Sequence, residues 1–323
     1  MNQRGFFLPI IVLVVVIGSV GVFFAKNEIQ KKTQVEVPAS TPSPSLTPAS
    51  TLAPTPTPSP TQTPTPTLSP SPLPTVLVTT KPTQVPVSGP PGSGYSSITV
   101  ATEKGNFSVR VLSIDLNSAR MITDTGNEGD CGNDCTVMPL SDFVARNGGF
   151  AGINGTYFCP VDYAECASKK NSFDFPVFNS RVGRWINGGN LGWNSRAMVY
   201  FDGGGAHYLQ NASSFGGGLT AGIVNFPGLL SGGVVQIDDN QSGLSDKQKA
   251  KGTKVGIGVR GSKNIMIVIA SSATMQDFAY IFKALGADGA LNLDDGGSTA
   301  LYYNGKYLAG PGRALPNAII FAR

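Results

Sequence analysis

The chain has 323 residues, of which 41% are hydrophobic, and a formal net charge of +4. Residues 95–323 contain 19 Lys/Arg and 18 Asp/Glu, so most of the positive excess lies before them. This balance excludes the basic surface that nucleic-acid binding requires, and no nucleic-acid partner is expected. These ~230 residues are enough to bury a full core as one domain.

The N-terminus contains an apolar run without charge, FFLPIIVLVVVIGSVGVFFA, at residues 6–25. A helix of this length, at about 1.5 Å per residue, spans the ~30 Å hydrocarbon core of a bilayer. We therefore predict a signal anchor over residues 1–37, with its transmembrane helix at about 6–25. The alternative is a cleaved signal peptide, whose apolar region is ordinarily only about 7–15 residues long. We expect a single-pass cell-membrane protein with its C-terminal domain outside the cytoplasm.

Residues 38–94 have a different composition and contain 17 of the 24 prolines, separated mainly by Thr and Ser. Such a segment has too little apolar surface to offset the entropy lost on ordering. We predict a disordered Pro/Thr/Ser-rich linker here, followed by one domain at residues 95–323.

The first part of that domain is expected to contain several strands and one helix, at PLSDFVARNGG. It also holds all four cysteines: Cys131 and Cys135 in DCGNDC, and Cys159 and Cys166 in FCPVDYAEC. An even count beyond a membrane anchor indicates an oxidising compartment and two disulfides. Three pairings are possible, and two local loops are the expected one. Zinc binding is the alternative, but neither spacing is the usual Cys-x2-Cys.

The one histidine is His207, in GGGAHYLQN, a pattern typical of a strand that follows a glycine turn. A single histidine excludes a His-rich metal site and disfavours a Ser-His-Asp triad. Any chemistry must therefore come from carboxylates, amides, hydroxyls, Lys/Arg or backbone N–H groups.

The last third has the clearest secondary-structure pattern. Residues 255–259 and 264–270 are typical of two strands joined by the turn RGSK. The apolar residues of TMQDFAYIFKALG fall on one helical face, with Thr274 and Asp277 as a capping box and Gly286 at the end. GALNL and RALPNAIIFA follow as strands. This order predicts an α+β fold with a mixed, largely antiparallel twisted sheet and packed helices.

The stretch after GALNL combines charge, flexible backbone and hydroxyl groups. It consists of Asp294, Asp295, Gly296, Gly297, Ser298 and Thr299. Carboxylates at the end of a buried strand are partly desolvated yet accessible to a ligand. Because neighbouring strand residues point to opposite faces, the two acids are expected to have different roles. A polar turn in which Asp caps free amides is the structural alternative.

Other apolar stretches end in similar polar turns. Asn154, Gly155 and Tyr157 lie in FAGINGTYF, while Arg313 and Asn317 lie in GPGRALPNAII. An Asn and a Tyr can hydrogen-bond to and stack on a sugar, and a planar guanidinium suits a phosphate.

These motifs resemble those of the phosphodiester glycosidase family. INGTYF, LLSGGV, KVGIG, GALNLDDGGSTAL and GRALPNAI occur in the family's order, over about residues 150–323. Asp294 matches the aspartate of the family's Asn-Leu-Asp-Gly-Gly-Gly-Ser motif, while Asp295 replaces a glycine. Lys254 stands where the family tends to have arginine. Lysine keeps the positive charge but lacks the bidentate fork of donors.

The resemblance implies hydrolysis of a sugar 1-phosphodiester in a phosphate-linked glycan or wall polymer. Asp294 would act as nucleophile, base or stabiliser of an oxocarbenium-like transition state. Arg313 and Lys254 would bind the phosphate. The catalytic candidates are Asp294, Asp295 and Asn154. The substrate- or phosphate-binding candidates are Gly155, Tyr157, Lys254, Gly296, Gly297, Ser298, Thr299, Arg313 and Asn317.

Two other functions remain open from the sequence. The first alternative is a non-catalytic glycan-binding module on a stalk, and the second is a sugar-phosphate transferase acting on wall polymers. No cofactor is predicted; the acids permit a divalent cation, but no ligand spacing demands one. The expected partners are a sugar-phosphate or glycan substrate and, through the N-terminal helix, the membrane.

Overall fold

The computed structural model describes residues 89–193 and 195–323, which consist mainly of short β-strands. In chain order the strands are β1 (Gly94–Thr102), β2 (Gly105–Asp115), β3 (Arg120–Thr125), β4 (Gly149–Asn154), β5 (Val177–Asn179), β6 (Arg184–Ile186), β7 (Ala197–Phe201), β8 (Ala206–Leu209), β9 (Ala221–Asn225), β10 (Gly228–Ser231), β11 (Val234–Val235), β12 (Gly252–Arg260), β13 (Asn264–Ala273), β14 (Gly289–Asn292), β15 (Leu301–Tyr303), β16 (Lys306–Ala309) and β17 (Asn317–Ala322). The α-helices are α1 (Leu140–Arg146), α2 (Asp246–Lys249) and α3 (Met275–Ala284). Short 3-10 turns occur at Ala164–Cys166, Gly188–Trp193, Ala212–Ser214 and Gly296–Ser298.

The strands are divided among three sheets. The largest has seven strands in the order β1-β2-β13-β12-β14-β10-β11. The other two have five strands each, in the orders β16-β15-β4-β17-β3 and β6-β5-β9-β7-β8. Every strand pair between residues 94 and 322 that the structure describes is antiparallel. The largely antiparallel character predicted from the sequence is confirmed, but the expected single mixed sheet is wrong. Local alternation indicates a strand without indicating its distant partner.

The elements predicted in the last third are present. β12 and β13 form the expected hairpin, with Arg260 opposite Asn264. Thr274 and Asp277 form the capping box of α3, each side chain accepting a hydrogen bond of 3.1 Å from the other's backbone N–H. Gly286 follows the helix with a φ of +77°, a conformation that glycine adopts without strain. Helix α1 likewise lies within PLSDFVARNGG.

The two glycines of KVGIG let α3 pack closely on the largest sheet. A Cβ at Gly256 or Gly258 would lie 2.8 or 2.7 Å from the nearest ring carbon of Phe278 or Phe282. Close contact between these rings and the strand backbone buries one face of α3, and full burial of a Phe side chain contributes about 1.5–3 kcal/mol.

A second apolar layer joins all three sheets. One continuous buried cluster contains, among others, Ile257, Ile267, Ile153, Ile319 and Ile223. Shared burial brings together the ends of strands that belong to different sheets, and the candidate site lies where these ends meet.

The N-terminal predictions lie outside the described residues. These are the anchor at 1–37 and the linker up to residue 88. Among residues 89–193 and 195–323, all within the unit Thr75–Arg323, no helix is long and apolar enough to cross a membrane. The domain boundaries given above therefore stay predictions.

Candidate active site

Four strands from the three sheets end or begin at a fully buried asparagine. These are Asn154 at the end of β4, Asn225 at the end of β9, Asn292 at the end of β14 and Asn317 at the start of β17. Buried amides need hydrogen-bond partners. Here they bind the backbone and side chains of neighbouring strand ends, so the four asparagines hold these ends in one region.

Asn154 clamps the turn that carries the acids. Its Nδ2 donates to the carbonyl of Asp294 at 2.6 Å, and its Oδ1 accepts from the N–H of Ala300 at 3.1 Å. The backbone of the neighbouring Gly155 adds a third link, because its carbonyl accepts from the Asp294 N–H at 2.9 Å. Asn154 therefore positions Asp294 through the backbone, and its fully buried side chain does not line the cleft.

Replacing Asn154 with Ala is expected to lower the free energy of unfolding by about 2–5 kcal/mol, because two buried backbone groups lose their partners. Urea denaturation at pH 7 measures the change. Asn106→Ala, an exposed asparagine on β2, is the control and should change stability by less than about 0.5 kcal/mol. A loss below about 1 kcal/mol for Asn154→Ala would contradict the clamp.

The remaining amides fix the segment from Gly155 to Tyr157. Asn317 Oδ1 accepts from the Thr156 N–H at 2.9 Å, and Asn225 Oδ1 accepts from Thr156 Oγ1 at 2.6 Å. Gly155 has no space for a side chain, because a Cβ there would overlap the Asn317 amide. This rigid segment places the phenol ring of Tyr157 in the wall of a cleft.

The two acids follow β14 in different environments. Asp294 is half-buried, and burial raises the pKa of its carboxyl to about 7. The Ser298 hydroxyl and the Asp295 N–H donate to this carboxyl, while Arg313 contributes positive charge; all three oppose the rise in pKa. Gly296 then turns the chain with a φ of +63°, which allows the 3-10 turn to begin directly after the acids.

Asp295 faces a buried lysine. The Lys254 Nζ lies 3.9 Å from Asp295 Oδ2, and the lysine side chain is 3% exposed. Burial lowers the pKa of Lys254, whereas burial raises the pKa of Asp295 and the charge of Lys254 opposes that rise. The Lys254 Nζ donates a hydrogen bond to the Lys247 carbonyl at 3.0 Å. Lys254 thus compensates the charge of Asp295 from inside the domain.

The cleft beside these acids has a volume of about 350 Å³. Its lining residues are Tyr157, Phe158, Pro160, Tyr163, Ser245, Lys247, Gln248, Asp294, Asp295, Gly296, Gly297, Ser298 and Arg313. Acids, cations and aromatic rings therefore share one surface. This combination suits a ligand with a sugar and an anionic group.

Arg313 lies in the wall of the cleft, next to the turn residue Gly297. The Arg313 N–H donates to the Gly297 carbonyl at 3.0 Å, and a Cβ at Gly297 would lie 2.6 Å from the guanidinium. The guanidinium is held by Asp162 Oδ2 at 3.3 Å and lies 5.4 Å from the centre of the Tyr163 ring. The Lys247 Nζ lies 5.0 Å from the same ring. Two cations are thus grouped around one aromatic side chain.

Seven of the predicted site residues line the cleft: Tyr157, Asp294, Asp295, Gly296, Gly297, Ser298 and Arg313. The other five, Asn154, Gly155, Lys254, Thr299 and Asn317, are adjacent to it without lining it. Among these, Thr299 Oγ1 and Asn317 Nδ2 are buried without a hydrogen-bond partner in the described part of the chain.

Several lining residues were missed from the sequence. Pro160 and Tyr163 come from the loop closed by Cys159–Cys166, and Phe158 immediately precedes it. Lys247 and Gln248 come from α2, and Ser245 is the N-cap of that helix. The only local signal for the second group is the capping box SDKQ, which predicts a helix start but no site.

Both disulfides have the expected local pairing, Cys131–Cys135 and Cys159–Cys166. The second disulfide closes the loop that carries Asp162 and Tyr163, both of which contact Arg313. No cysteine among the described residues is free, and zinc binding through these side chains is overturned.

The described residues contain no cluster of three or more His, Cys, Asp or Glu side chains able to hold a metal ion. His207 lies outside the cleft, with Nε2 2.8 Å from Asp202 Oδ2 and its ring stacked on Tyr200.

The chain is similar to known proteins in sequence and in fold. The phosphodiester glycosidase family profile matches residues 147–322. The fold is similar to the zebrafish N-acetylglucosamine-1-phosphodiester alpha-N-acetylglucosaminidase catalytic domain auto-inhibited by its pro-peptide, with a TM-score of 0.55, 15% identity, and coverage of 75% of this chain and 87% of that one. A hypothetical protein from Synechocystis has a TM-score of 0.49 and 17% identity. The match covers 72% of this chain and only 62% of the Synechocystis chain.

No curated protein sequence matches the chain. The similarity to the zebrafish domain has low identity and shows the fold alone. The family profile, however, covers more than half of the chain. The chain therefore belongs to the phosphodiester glycosidase family.

Proposed function

We propose that this domain hydrolyses the glycosidic bond of a sugar 1-phosphodiester within a phosphate-linked glycan. The observation that carries the proposal is that the Asp294 carboxyl and the Arg313 guanidinium line the same cleft. Family membership supports a glycosidase-type hydrolase. We further propose that the domain acts outside the cytoplasm, tethered through residues 6–25; its disulfides support an oxidising compartment.

The reaction needs opposite charges at two places. The bond between the anomeric carbon and the bridging oxygen breaks, its electron pair leaves with the phosphate, and positive charge develops on the sugar ring. Water supplies a hydroxyl group to the anomeric carbon and a proton that leaves. The products are a free sugar and a phosphate monoester.

Asp294 and Arg313 meet these two requirements. The ionised Asp294 carboxylate stabilises the positive sugar, and the phosphate monoester is a good leaving group that needs little protonation. Arg313, with Lys247 beside the same tyrosine ring, stabilises the departing negative charge. Asn154 positions Asp294 through its backbone, and Lys254 balances Asp295.

The bond that breaks distinguishes this function from ordinary phosphodiester hydrolysis. The purified full chain should be incubated with 4-nitrophenyl phosphodiesters of glucose, galactose, mannose and N-acetylglucosamine in water labelled with oxygen-18. We expect labelled free sugar together with unlabelled 4-nitrophenyl phosphate. The unlabelled phosphate is the diagnostic product, because a free sugar also exchanges its anomeric oxygen with water. Release of sugar 1-phosphate and nitrophenol would contradict the proposal. Sugar binding without any release would support the alternative of a glycan-binding module.

The pH dependence of the reaction should report Asp294. Because the carboxylate must be ionised and its pKa is about 7, kcat/KM is expected to rise with pH through this value. Ser298→Ala removes a hydrogen bond that favours the ionised form. A hydrogen bond worth about 1 kcal/mol corresponds to about 0.7 pH units, and the rising limb should move up by this amount. Ser108→Ala, on the exposed face of β2, is the control. A Ser298→Ala profile identical to wild type would refute the assignment.

A further inference from the structure

The hydroxyl group of Tyr157 is held by two amides that can only donate to it. Its oxygen accepts from Gln248 Nε2 at 3.1 Å and from Asn292 Nδ2 at 2.7 Å. The Gln248 orientation is set by its Oε1, which accepts from the Ser245 N–H at 2.9 Å. The Asn292 orientation is set by its Nδ2, which also donates to the Leu293 carbonyl at 2.7 Å. Neither amide can therefore reverse and accept the phenol proton.

That proton has no acceptor in the part of the chain that the structure describes, although Tyr157 lines the cleft. Burial raises the pKa of the phenol, and the charges of Asp295 and Asp294 raise it further. Tyr157 therefore stays protonated. With both lone pairs of its oxygen occupied, it presents a single fixed hydrogen-bond donor to a ligand.

Asp295 presents the complementary group in the same cleft. Its side chain lines the cleft and is 22% exposed, while its Oδ2 is sealed from solvent and has no hydrogen-bond partner among the described residues. The nearest cation, Lys254 Nζ, is 3.9 Å away, beyond hydrogen-bond distance, and donates to the Lys247 carbonyl instead. Oδ2 faces the interior, so a ligand in the cleft meets the other carboxylate oxygen, Oδ1, which likewise accepts no hydrogen bond in the described part of the chain. A carboxylate without a donor costs free energy once a ligand covers it, unless that ligand supplies the donor.

We propose that Tyr157 and Asp295 together bind one hydroxyl group of the sugar. A hydroxyl can accept from the phenol and donate to the carboxylate at the same time, and so satisfies both unpaired groups. An ionised phosphate oxygen can only accept, and it would bring negative charge towards Asp295. The pair consequently selects a neutral hydroxyl and marks the sugar end of the cleft. This inference rests on the proposed function for the identity of the ligand as a sugar.

Binding measurements on single-deoxy sugars test the pair without requiring catalysis. The 1-phosphates of glucose, galactose, mannose and N-acetylglucosamine are first titrated into the full chain by calorimetry. The mono-deoxy analogues of the tightest ligand are then compared in wild type and in Tyr157→Phe. One deletion should weaken binding to wild type by about 10- to 100-fold, because it leaves two buried groups unpaired. The same deletion should weaken binding to Tyr157→Phe by less than about 3-fold, since the contact is already lost.

Asp295→Ala provides a second, independent variant. The Asp295 N–H that donates to Asp294 Oδ1 is retained, and no side-chain hydrogen bond is lost. The buried Lys254 loses its counter-charge, so thermal unfolding is used to verify that this variant is folded. It should show the same loss of discrimination at the same sugar position. Tyr208→Phe is the matched control: it removes a phenol that donates to Gln210 outside this cleft, and the full discrimination should remain.

The outcomes separate this inference from the proposed function. If every deletion weakens wild type and both variants equally, or if no sugar phosphate binds, the hydroxyl-binding pair is overturned. If one deoxy substitution weakens binding to wild type but not to either variant, and no diester is cleaved, the pair stands and the proposed hydrolysis fails. If free sugar and unlabelled 4-nitrophenyl phosphate are released, but no deoxy substitution loses its effect on binding in either variant, hydrolysis stands and the pair fails.

Discussion

Asp294→Asn is expected to lower kcat for the sugar 1-phosphodiester by about 10³-fold or more while leaving the fold intact. The amide is nearly the same size as the carboxyl and keeps an oxygen for the Asp295 N–H and the Ser298 hydroxyl. It carries no charge, so it cannot stabilise a positive sugar. Single-turnover measurement of free sugar gives the chemical step directly.

Thermal unfolding of the same variant distinguishes lost chemistry from lost folding. The folded-state pKa of Asp294, about 7, lies above the value of about 3.9 in an unfolded chain. Ionisation therefore disfavours the folded state, and this cost is absent below about pH 4 and grows as the pH rises towards 7. Asn removes the cost, so at pH 8 the variant should have a Tm no lower than wild type.

Asp288→Asn is the matched control. Asp288 is exposed and immediately precedes β14, at the opposite end of the strand from Asp294. This control should keep wild-type turnover. An Asp294→Asn variant within 10-fold of wild-type kcat would refute the catalytic role of Asp294.

Arg313→Met is expected to lower kcat/KM for the diester by about 10²–10³-fold, the usual effect of removing one preorganised donor to developing negative charge. The guanidinium is held in the cleft wall by Asp162 and lies beside Tyr163, so the position of its charge is defined before the substrate binds. Steady-state kinetics with the cleaved diester measure the loss.

Two further measurements define the cause of that loss. Arg313→Lys should recover only part of the activity, because an ammonium lacks the planar fork of donors. 4-Nitrophenyl phosphate, the expected product, should inhibit Arg313→Met more weakly than wild type. Arg184→Met, which removes an exposed arginine on β6, is the control. Unchanged kcat/KM in Arg313→Met would show that the phosphate binds elsewhere.

Asn154 illustrates where sequence reasoning reaches its limit. Its place after an apolar run in FAGINGTYF indicated a strand end, which is correct. A role in binding sugar was also expected. In the structure both polar atoms of its side chain bind backbone groups far along the chain, at Asp294 and Ala300. Residue type and local pattern contain no information about such distant partners.

Lys254 shows the same limit for charge. The sequence identified a cation near the site and assigned it to phosphate. Burial places it behind Asp295, where it compensates one carboxylate. Tyr163 and Lys247 were not identified at all, because neither belongs to a strand end or a recognisable turn motif; only the folding of the Cys159–Cys166 loop and of α2 brings them to Arg313.

The amino-acid sequence by itself determined the local structure and the family. The apolar periodicity of α3, its capping box, the β12–β13 hairpin and the ordered motifs ending in GRALPNAI depend on neighbouring residues, whose interactions repeat at fixed spacing. Only the tertiary structure decided how the strands divide into three sheets and which polar side chains share a cleft. It also decided that both carboxyls are desolvated and that only Asp295 has a buried lysine beside it. The reason is physical: burial and long-range pairing depend on how distant segments pack, and a chain's local pattern is compatible with many such packings.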